Sequence, residues 1–258
     1  MSELNFDKKL YLCGISPKQK NEGSFLLKIN FDKKIYVNAE QINAEILINS
    51  RYPHIYPSLI HDNNGKILCV GGKGQKQCEL YDLYVNKWFY LPELQEERYK
   101  CSLCLDNKGN FVYLFGGKNT DKDNLNDKKE NDSIIKILRM NLEKRLIWEN
   151  LIVKNNQKNI IINRALSGAF TFKYDEDFIF IVGGEDFDEN NLDDVLRFSI
   201  KNLKFESTGI KLRNKAIFTN QNGSAINERT HCLIDSYNNI HIIERHDCLP
   251  MDYYPDEI

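Results

Sequence analysis

The chain has almost no net charge, because its 35 basic residues are matched by 37 acidic ones, which leaves a formal net charge of −2 at pH 7. A balance of this kind does not favour nucleic acid or an anionic membrane surface. The chain also lacks the run of about 18 apolar residues that a membrane-spanning helix needs, and its first ten residues, "MSELNFDKKL", lack the apolar core of a secretory signal. We therefore expect a soluble, cytoplasmic protein that neither binds nucleic acid nor inserts into a membrane.

The cysteines do not form a disulfide pattern. They number seven, an odd count, and are scattered along the chain at positions 13, 69, 78, 101, 104, 232 and 248. This usage fits reduced thiols better than a disulfide framework. Cys101 and Cys104 have the spacing of half a zinc site, but no second pair follows, and residues three apart on a strand point to opposite faces. We expect neither a metal nor another cofactor.

The most prominent feature of the sequence is a repeated apolar run that ends in glycine. Four segments align without gaps: "LYLCGI", "ILCVGG", "VYLFGG" and "IFIVGG". A fifth segment, "IHIIER", keeps the apolar run and loses the glycines. The glycines of the repeat are Gly14, Gly71, Gly72, Gly116, Gly117, Gly183 and Gly184. The spacing between segments varies, which is typical of a fixed structural unit with loops of variable length.

A turn that contains Asp precedes each glycine run, and an apolar stretch such as "CSLCL" or "GAFTF" precedes the turn. This order predicts a hairpin whose second strand ends in the glycines. Pairs of aromatic or apolar residues then mark a third and a fourth strand. Three of these pairs are seven residues apart: Tyr81 with Trp88, Phe198 with Phe205, and Ile29 with Tyr36. Met140 and Trp148 form the fourth pair, with one residue more between them. The unit is thus a four-stranded antiparallel sheet, and we expect Trp88 and Trp148 to be buried in it.

These features resemble the kelch repeat, in which a double glycine closes the second strand and a Tyr and a Trp flank the turn between the third and fourth strands. The resemblance implies an all-β fold, with residues 1–258 forming one kelch-type β-propeller domain of about four and a half blades. The blades would span roughly 3–40, 55–92, 99–152 and 165–212, with a partial blade at 229–245 and a tail at 246–258. An open blade leaves strand edges exposed, so we expect self-association or a second chain that completes it.

The glycines are interpreted as structural, because they let the backbone turn sharply and let neighbouring blades approach one another. A dinucleotide-binding loop is the alternative reading. It is disfavoured because "GGKGQK" lacks the third glycine and leads into "ELYDLYV", which is a strand pattern and not the start of a helix.

Long segments follow the second and fourth strands, and both kinds emerge at the same end of an antiparallel blade. Long loops on a rigid scaffold are where binding usually occurs. Candidate partner-binding residues at this end are the recurring arginines Arg51, Arg98, Arg164 and Arg229, and the acidic residues Asp186, Asp188 and Glu189. In kelch interaction domains similar arginines contact acidic peptides. The alternatives are that the arginines pair locally and that the acidic segment is simply solvated.

No catalytic pattern accompanies this architecture. The five histidines, at positions 54, 61, 231, 241 and 246, lie toward the two ends of the chain and do not provide the ligand sets of the kelch-like oxidases and iron-dependent enzymes. No Ser, His and Asp set with an elbow motif is present. The sequence therefore favours a non-catalytic scaffold that binds a protein partner. A propeller enzyme of unknown substrate and a structural subunit of a larger assembly are the alternatives.

Overall fold

The structure is a computed structural model that describes residues 9–14, 23–30, 43–62, 64–106, 109–119, 137–153, 164–173, 175–186, 188, 190–212, 231–234 and 240–243. Within these ranges the secondary structure is entirely strand, turn and bend. The all-β class is confirmed for this part of the chain, and several of its sheets are four-stranded and antiparallel, as the repeat predicts. It contains no helix with the length and apolar character required to cross a membrane.

The strands form four main sheets in chain order. Sheet 1 contains β1 (Lys9–Gly14), β2 (Phe25–Asn30) and β3 (Asn43–Leu47); sheet 2 contains β4 (Ser58–His61), β5 (Lys66–Gly72), β6 (Gln75–Asp82) and β7 (Lys87–Leu91). Sheet 3 contains β8 (Ser102–Leu105), β9 (Phe111–Phe115), β10 (Ile137–Asn141) and β11 (Glu149–Leu151). Sheet 4 contains β13 (Phe170–Lys173), β14 (Phe178–Val182), β16 (Asp194–Ser199) and β17 (Lys204–Lys211). Each is a meander of antiparallel neighbours.

Two smaller pairs complete the described strands. β12 (Arg164–Ser167) pairs with β15 (Glu185–Asp186), and β18 (His231–Ile234) pairs with β19 (Ile240–Ile243). The second pair corresponds to the predicted partial blade.

Sequence explains the turns that connect these strands. The Oδ1 atom of Asp62 accepts hydrogen bonds from the backbone N–H groups of Asn64 and Lys66, at 3.1 and 2.7 Å. Asp106 and Asp175 cap the equivalent turns of sheets 3 and 4 in the same way. An Asx side chain that satisfies its own turn favours the hairpin locally, which is why the Asp recurs before every second strand.

The sheets pack face to face in the order 1, 2, 3, 4, and an apolar core fills each of the three interfaces. Leu26 of sheet 1 packs with Ile67, Tyr81 and Trp88 of sheet 2. The opposite face of sheet 2 packs on sheet 3, and the opposite face of sheet 3 packs on sheet 4. Sheets 2 and 3 therefore bury both faces, which explains the nearly continuous apolar runs in their second strands. The first strands adjoin one another, since β8 lies against both β4 and β13.

Two boundaries differ from those predicted. Ile29 pairs with Ala44, so the last strand of sheet 1 lies at 43–47, beyond the predicted limit at residue 40 and inside the segment expected to be a loop. The spacing rule assumes a short turn, as between Tyr81 and Trp88, whereas residues 31–42 separate β2 from β3; Tyr36 lies outside the described residues. Arg164 begins β12 and not the first strand of sheet 4, because Gly168, with φ of +68°, separates β12 from β13.

Candidate functional site at the glycine-pair end

The second strands of sheets 2, 3 and 4 all lead into a glycine pair at one end of the sheets, which we call the glycine-pair end. There the backbone N–H of Gly72 donates to the carbonyl oxygen of Arg98, at 2.7 Å, and Gly117 donates to Ala165, at 3.1 Å. A Cβ on Gly71 would collide with the Arg98 carbonyl oxygen. The glycines thus let the chain leading into the next sheet cross directly over the end of the strand. Because β6 follows Gly72 after two residues, no helix is available there to bind a dinucleotide.

The segments that meet at this end also pair within each sheet. The backbone N–H of Lys73 donates to Ile55, and Tyr99 and Lys118 exchange hydrogen bonds of 3.1 and 3.0 Å. These contacts hold the residues after each glycine pair next to the residues that lead into the first strand. The glycine-pair end is therefore an ordered surface formed by several short segments.

The predicted arginines have different surroundings at this end. Arg98 is buried and donates to the carbonyl oxygen of Gly116, at 2.9 Å, and to the carboxylate of Glu96, at 2.8 Å. Arg164 makes a bidentate ion pair with Asp194, with N–O distances of 2.8 and 2.7 Å. Both side chains therefore have local partners of the kind that the alternative reading expects. Arg229 lies outside the described residues.

Arg51 differs from these two because its side chain is exposed and lies on an aromatic ring. Its guanidinium carbon is 4.2 Å from the ring centroid of Tyr90, a cation–π geometry. Tyr90 itself is 59% exposed. Close by in sequence, Ile55 and Tyr56 are also exposed, and Tyr56 has a φ of +52°, a left-handed conformation that is uncommon for a bulky residue. We call Arg51, Ile55, Tyr56, Lys73 and Tyr90 the sheet 2 patch.

The predicted acidic site is largely occupied by its own hydrogen bonds. Asp186 accepts hydrogen bonds from the backbone N–H groups of Asp188 and Asn190, both at 2.8 Å, and so closes its own turn. In the same segment Asp193 pairs with Lys211 and Asp194 with Arg164. Asp188 is exposed, and Glu189 lies outside the described residues. Much of the negative charge that the sequence places here is thus neutralised by neighbouring cations.

A buried polar cluster between sheets 1 and 2 was missed by the sequence reasoning. His54 and Glu79 are both fully buried, and the Nε2 atom of His54 lies 3.0 Å from Oε2 of Glu79. The Nδ1 atom of His54 lies 2.6 Å from the carbonyl oxygen of Gly71. Glu79 also accepts hydrogen bonds from the backbone N–H groups of Arg51 and Tyr52, at 3.2 and 3.3 Å.

This hydrogen-bond pattern fixes the orientation of the histidine ring. The Gly71 carbonyl oxygen can only accept, so Nδ1 of His54 donates to it. The other ring nitrogen, Nε2, faces the carboxyl group of Glu79. Glu79 could have been noticed in the sequence, because the matching positions of sheets 3 and 4, Leu138 and Leu196, are apolar.

The cysteine pair "CSLC" does not form a metal site. Cys101 packs against the core between sheets 2 and 3, whereas Cys104 belongs to the core between sheets 3 and 4. In the part of the chain that the structure describes, no group of three or more His, Cys, Asp or Glu side chains has the arrangement of a metal site. In comparisons with known proteins, no family model matches the chain, and no curated protein matches it either.

Proposed function

We propose that the chain is a kelch-type β-propeller module that binds a protein or peptide partner at the glycine-pair end, without a cofactor and without catalysis. The face-to-face packing of successive four-stranded sheets, with their first strands side by side, supports this radial arrangement. The five cysteines that the structure describes are free thiols, which supports the cytoplasmic location expected from the sequence.

The observation that carries this proposal is the exposure of the sheet 2 patch. Tyr and Arg are enriched among the residues that contribute most to protein–protein binding, because they combine a large contact area with a polar group. Here an arginine stacked on Tyr90 is followed closely in sequence by exposed Ile55 and Tyr56, whose carbonyl oxygens accept backbone hydrogen bonds from Lys73 and Lys100. A rigid, aromatic surface of this kind loses little conformational entropy on binding.

The charge of the patch indicates the chemistry of the partner. Arg51 and Lys73 are both exposed, and the Lys73 ammonium lies 5.9 Å from the ring centroid of Tyr99. A guanidinium can bind a carboxylate through two parallel hydrogen bonds. We infer that the partner presents an acidic segment that also carries apolar side chains.

A comparative capture experiment tests the proposal. The tagged full chain, a patch variant (Arg51→Ser, Tyr56→Ser and Tyr90→Ser) and a control variant are incubated with an extract of the source cells, and bound proteins are quantified by mass spectrometry. The control, Tyr84→Ser with Val85→Ser, removes exposed apolar residues from the turn between β6 and β7, at the opposite end of sheet 2.

We expect at least one protein to bind the wild-type chain and the control variant and to be lost with the patch variant. Circular dichroism establishes that both variants are folded. A set of bound proteins that is the same for all three forms would overturn the assignment of the patch, and a loss only with the control variant would move the binding surface to the other end.

A further inference from the structure

The interface between sheets 1 and 2 differs chemically from the two interfaces that follow it. Across each interface, the residue directly before the first glycine of one repeat faces the residue two positions before the first glycine of the next repeat. They are Cys13 and Cys69 between sheets 1 and 2, Val70 and Leu114 between sheets 2 and 3, and Phe115 and Ile181 between sheets 3 and 4. The same geometric position thus holds two apolar side chains twice and two thiols once.

The two thiols share one core and differ in accessibility. Cys13 packs against the core cluster that contains Cys69, and a hydrogen bond between the two thiols lowers the pKa of Cys13 and raises that of Cys69. Cys69 is completely buried, whereas Cys13 is half-buried and lies at the margin of the same core. A small solute can therefore reach Cys13 first, with Cys69 directly behind it.

The surroundings favour the thiolate form of Cys13. The hydrogen bond with Cys69 lowers the pKa of Cys13, burial raises it, the charge of His54 and a hydrogen bond with Ser24 lower it, and the charge of Glu79 raises it, with a net shift downward. The other described cysteines behave in the opposite way, because burial raises the pKa of Cys101 to about 11 and that of Cys78 to about 12. Thiolates are the reactive form of cysteine.

His54 owes its position to Glu79, as described above. Its ring is fixed between the Glu79 carboxylate and the Gly71 carbonyl oxygen, and its backbone N–H donates to Oγ of Ser24, at 2.6 Å. Glu79 and Ser24 thus fix the His54 ring in the same interface that holds the two thiols.

We propose that Cys13 and Cys69 are a peroxide-reactive thiol pair, in which a peroxide oxidises Cys13 and the two sulfurs then join as a reversible disulfide between sheets 1 and 2.

The chemistry balances in two steps. The Cys13 thiolate attacks one oxygen of hydrogen peroxide, an S–O bond forms as the O–O bond breaks, and the second oxygen leaves as hydroxide, which is protonated to water. The Cys69 sulfur then attacks the sulfenic sulfur of Cys13, an S–S bond forms, and the hydroxyl group leaves as a second water with the proton of Cys69. Two electrons pass from the sulfurs to the peroxide. A small-molecule thiol reductant reverses the reaction by disulfide exchange.

Peptide mapping of the full-length chain tests the proposal. The reduced protein is treated at pH 7 with one molar equivalent of hydrogen peroxide, remaining thiols are alkylated, and a digest is analysed by mass spectrometry without reduction. We expect a peptide that links Cys13 to Cys69, a loss of two of the seven alkylatable thiols, and full alkylation of Cys101 once the protein is denatured. A link between other cysteines, or no link, would overturn the proposal.

Variants separate the two steps. Cys69→Ser should stop the reaction at a sulfenic acid on Cys13, which dimedone traps, whereas Cys101→Ser should form the same link as the wild type. If native Cys13 is alkylated no faster than native Cys101 at pH 7, the proposal is wrong, and this comparison needs no variant.

Discussion

The indole N–H of Trp88 donates a hydrogen bond of 2.7 Å to the carbonyl oxygen of Ile48, the first residue after the last strand of sheet 1. Trp148 makes the equivalent bond, of 3.0 Å, to Pro92, the first residue after the last strand of sheet 2. Both indoles are buried. Each indole hydrogen bond therefore ties sheet 2 or sheet 3 to the sheet before it, in addition to the contact area that the buried ring provides.

Replacement of Trp88 by Ala should lower the free energy of unfolding by about 3–5 kcal/mol, because it removes a large buried ring and leaves a cavity. Urea unfolding followed by circular dichroism measures this loss. The control is Tyr84→Ala, which removes a ring that is 82% exposed and should change the stability by less than about 0.5 kcal/mol. An unchanged unfolding midpoint for Trp88→Ala would contradict the role of the indole.

Two glycines with the same backbone conformation provide a test of the close approach between sheets. Gly71 has a φ of +62° and Gly109 a φ of +67°, so alanine is strained at both, by roughly 1–2 kcal/mol. Only at Gly71 would the new Cβ meet a backbone oxygen, that of Arg98, since nothing lies within 4 Å at Gly109. Gly71→Ala should therefore destabilise the protein clearly more than Gly109→Ala in thermal melts. Equal effects would show that the glycine serves the turn alone.

The buried hydrogen bond between His54 and Glu79 predicts a strong coupling between the two residues. Glu79→Leu leaves the buried imidazole without its carboxyl partner and should cost about 1–3 kcal/mol. The double variant His54→Leu with Glu79→Leu should be more stable than the Glu79→Leu variant, because it also removes this imidazole, and leucine already occupies the positions that match Glu79 in the next sheets, Leu138 and Leu196. A double-mutant cycle by urea unfolding measures the coupling, and simple additivity of the two losses would contradict the interaction.

Arg98 and Arg164 should act on stability and not on partner binding. The guanidinium of Arg98 is buried on a carbonyl oxygen and that of Arg164 is paired with Asp194, so neither is arranged to meet a ligand without losing these contacts. We expect Arg164→Ala to lower the unfolding midpoint and to leave capture of the partner intact, in contrast to Arg51→Ser. A folded Arg164→Ala variant that no longer binds the partner would return this arginine to the binding surface.

The repeat made much of this fold predictable. Local signals determine the turns, as Asp62, Asp106 and Asp175 each cap their own hairpin, and the seven-residue spacing of Tyr81 and Trp88 matches their observed register. The same rule failed at Ile29, where the connection is longer than a tight turn. Contacts between sheets could not be read in this way, because residues such as Cys13 and Cys69 share a core only after sheets 1 and 2 have packed.

The last strand pair that the structure describes leads to a prediction about association. The β18 and β19 strands form a hairpin with an apolar sequence, "HCLI" paired with "IHII". Strand edges of this composition add further strands readily. Light scattering at increasing concentration should show self-association of the full chain, and a constant monomer mass together with slow amide exchange in residues 231–243 would contradict it.

Hydrogen–deuterium exchange on the full chain, with and without the partner that the patch variant fails to capture, tests most directly whether this protein binds at its glycine-pair end. Binding there should slow amide exchange in residues 51–56 and 73–76, which form the ordered surface around Tyr56 and Lys73. Exchange in the turns at 62–66 and 82–87, at the opposite end of sheet 2, should not change. Protection confined to those turns, or no protection in sheet 2, would contradict the account.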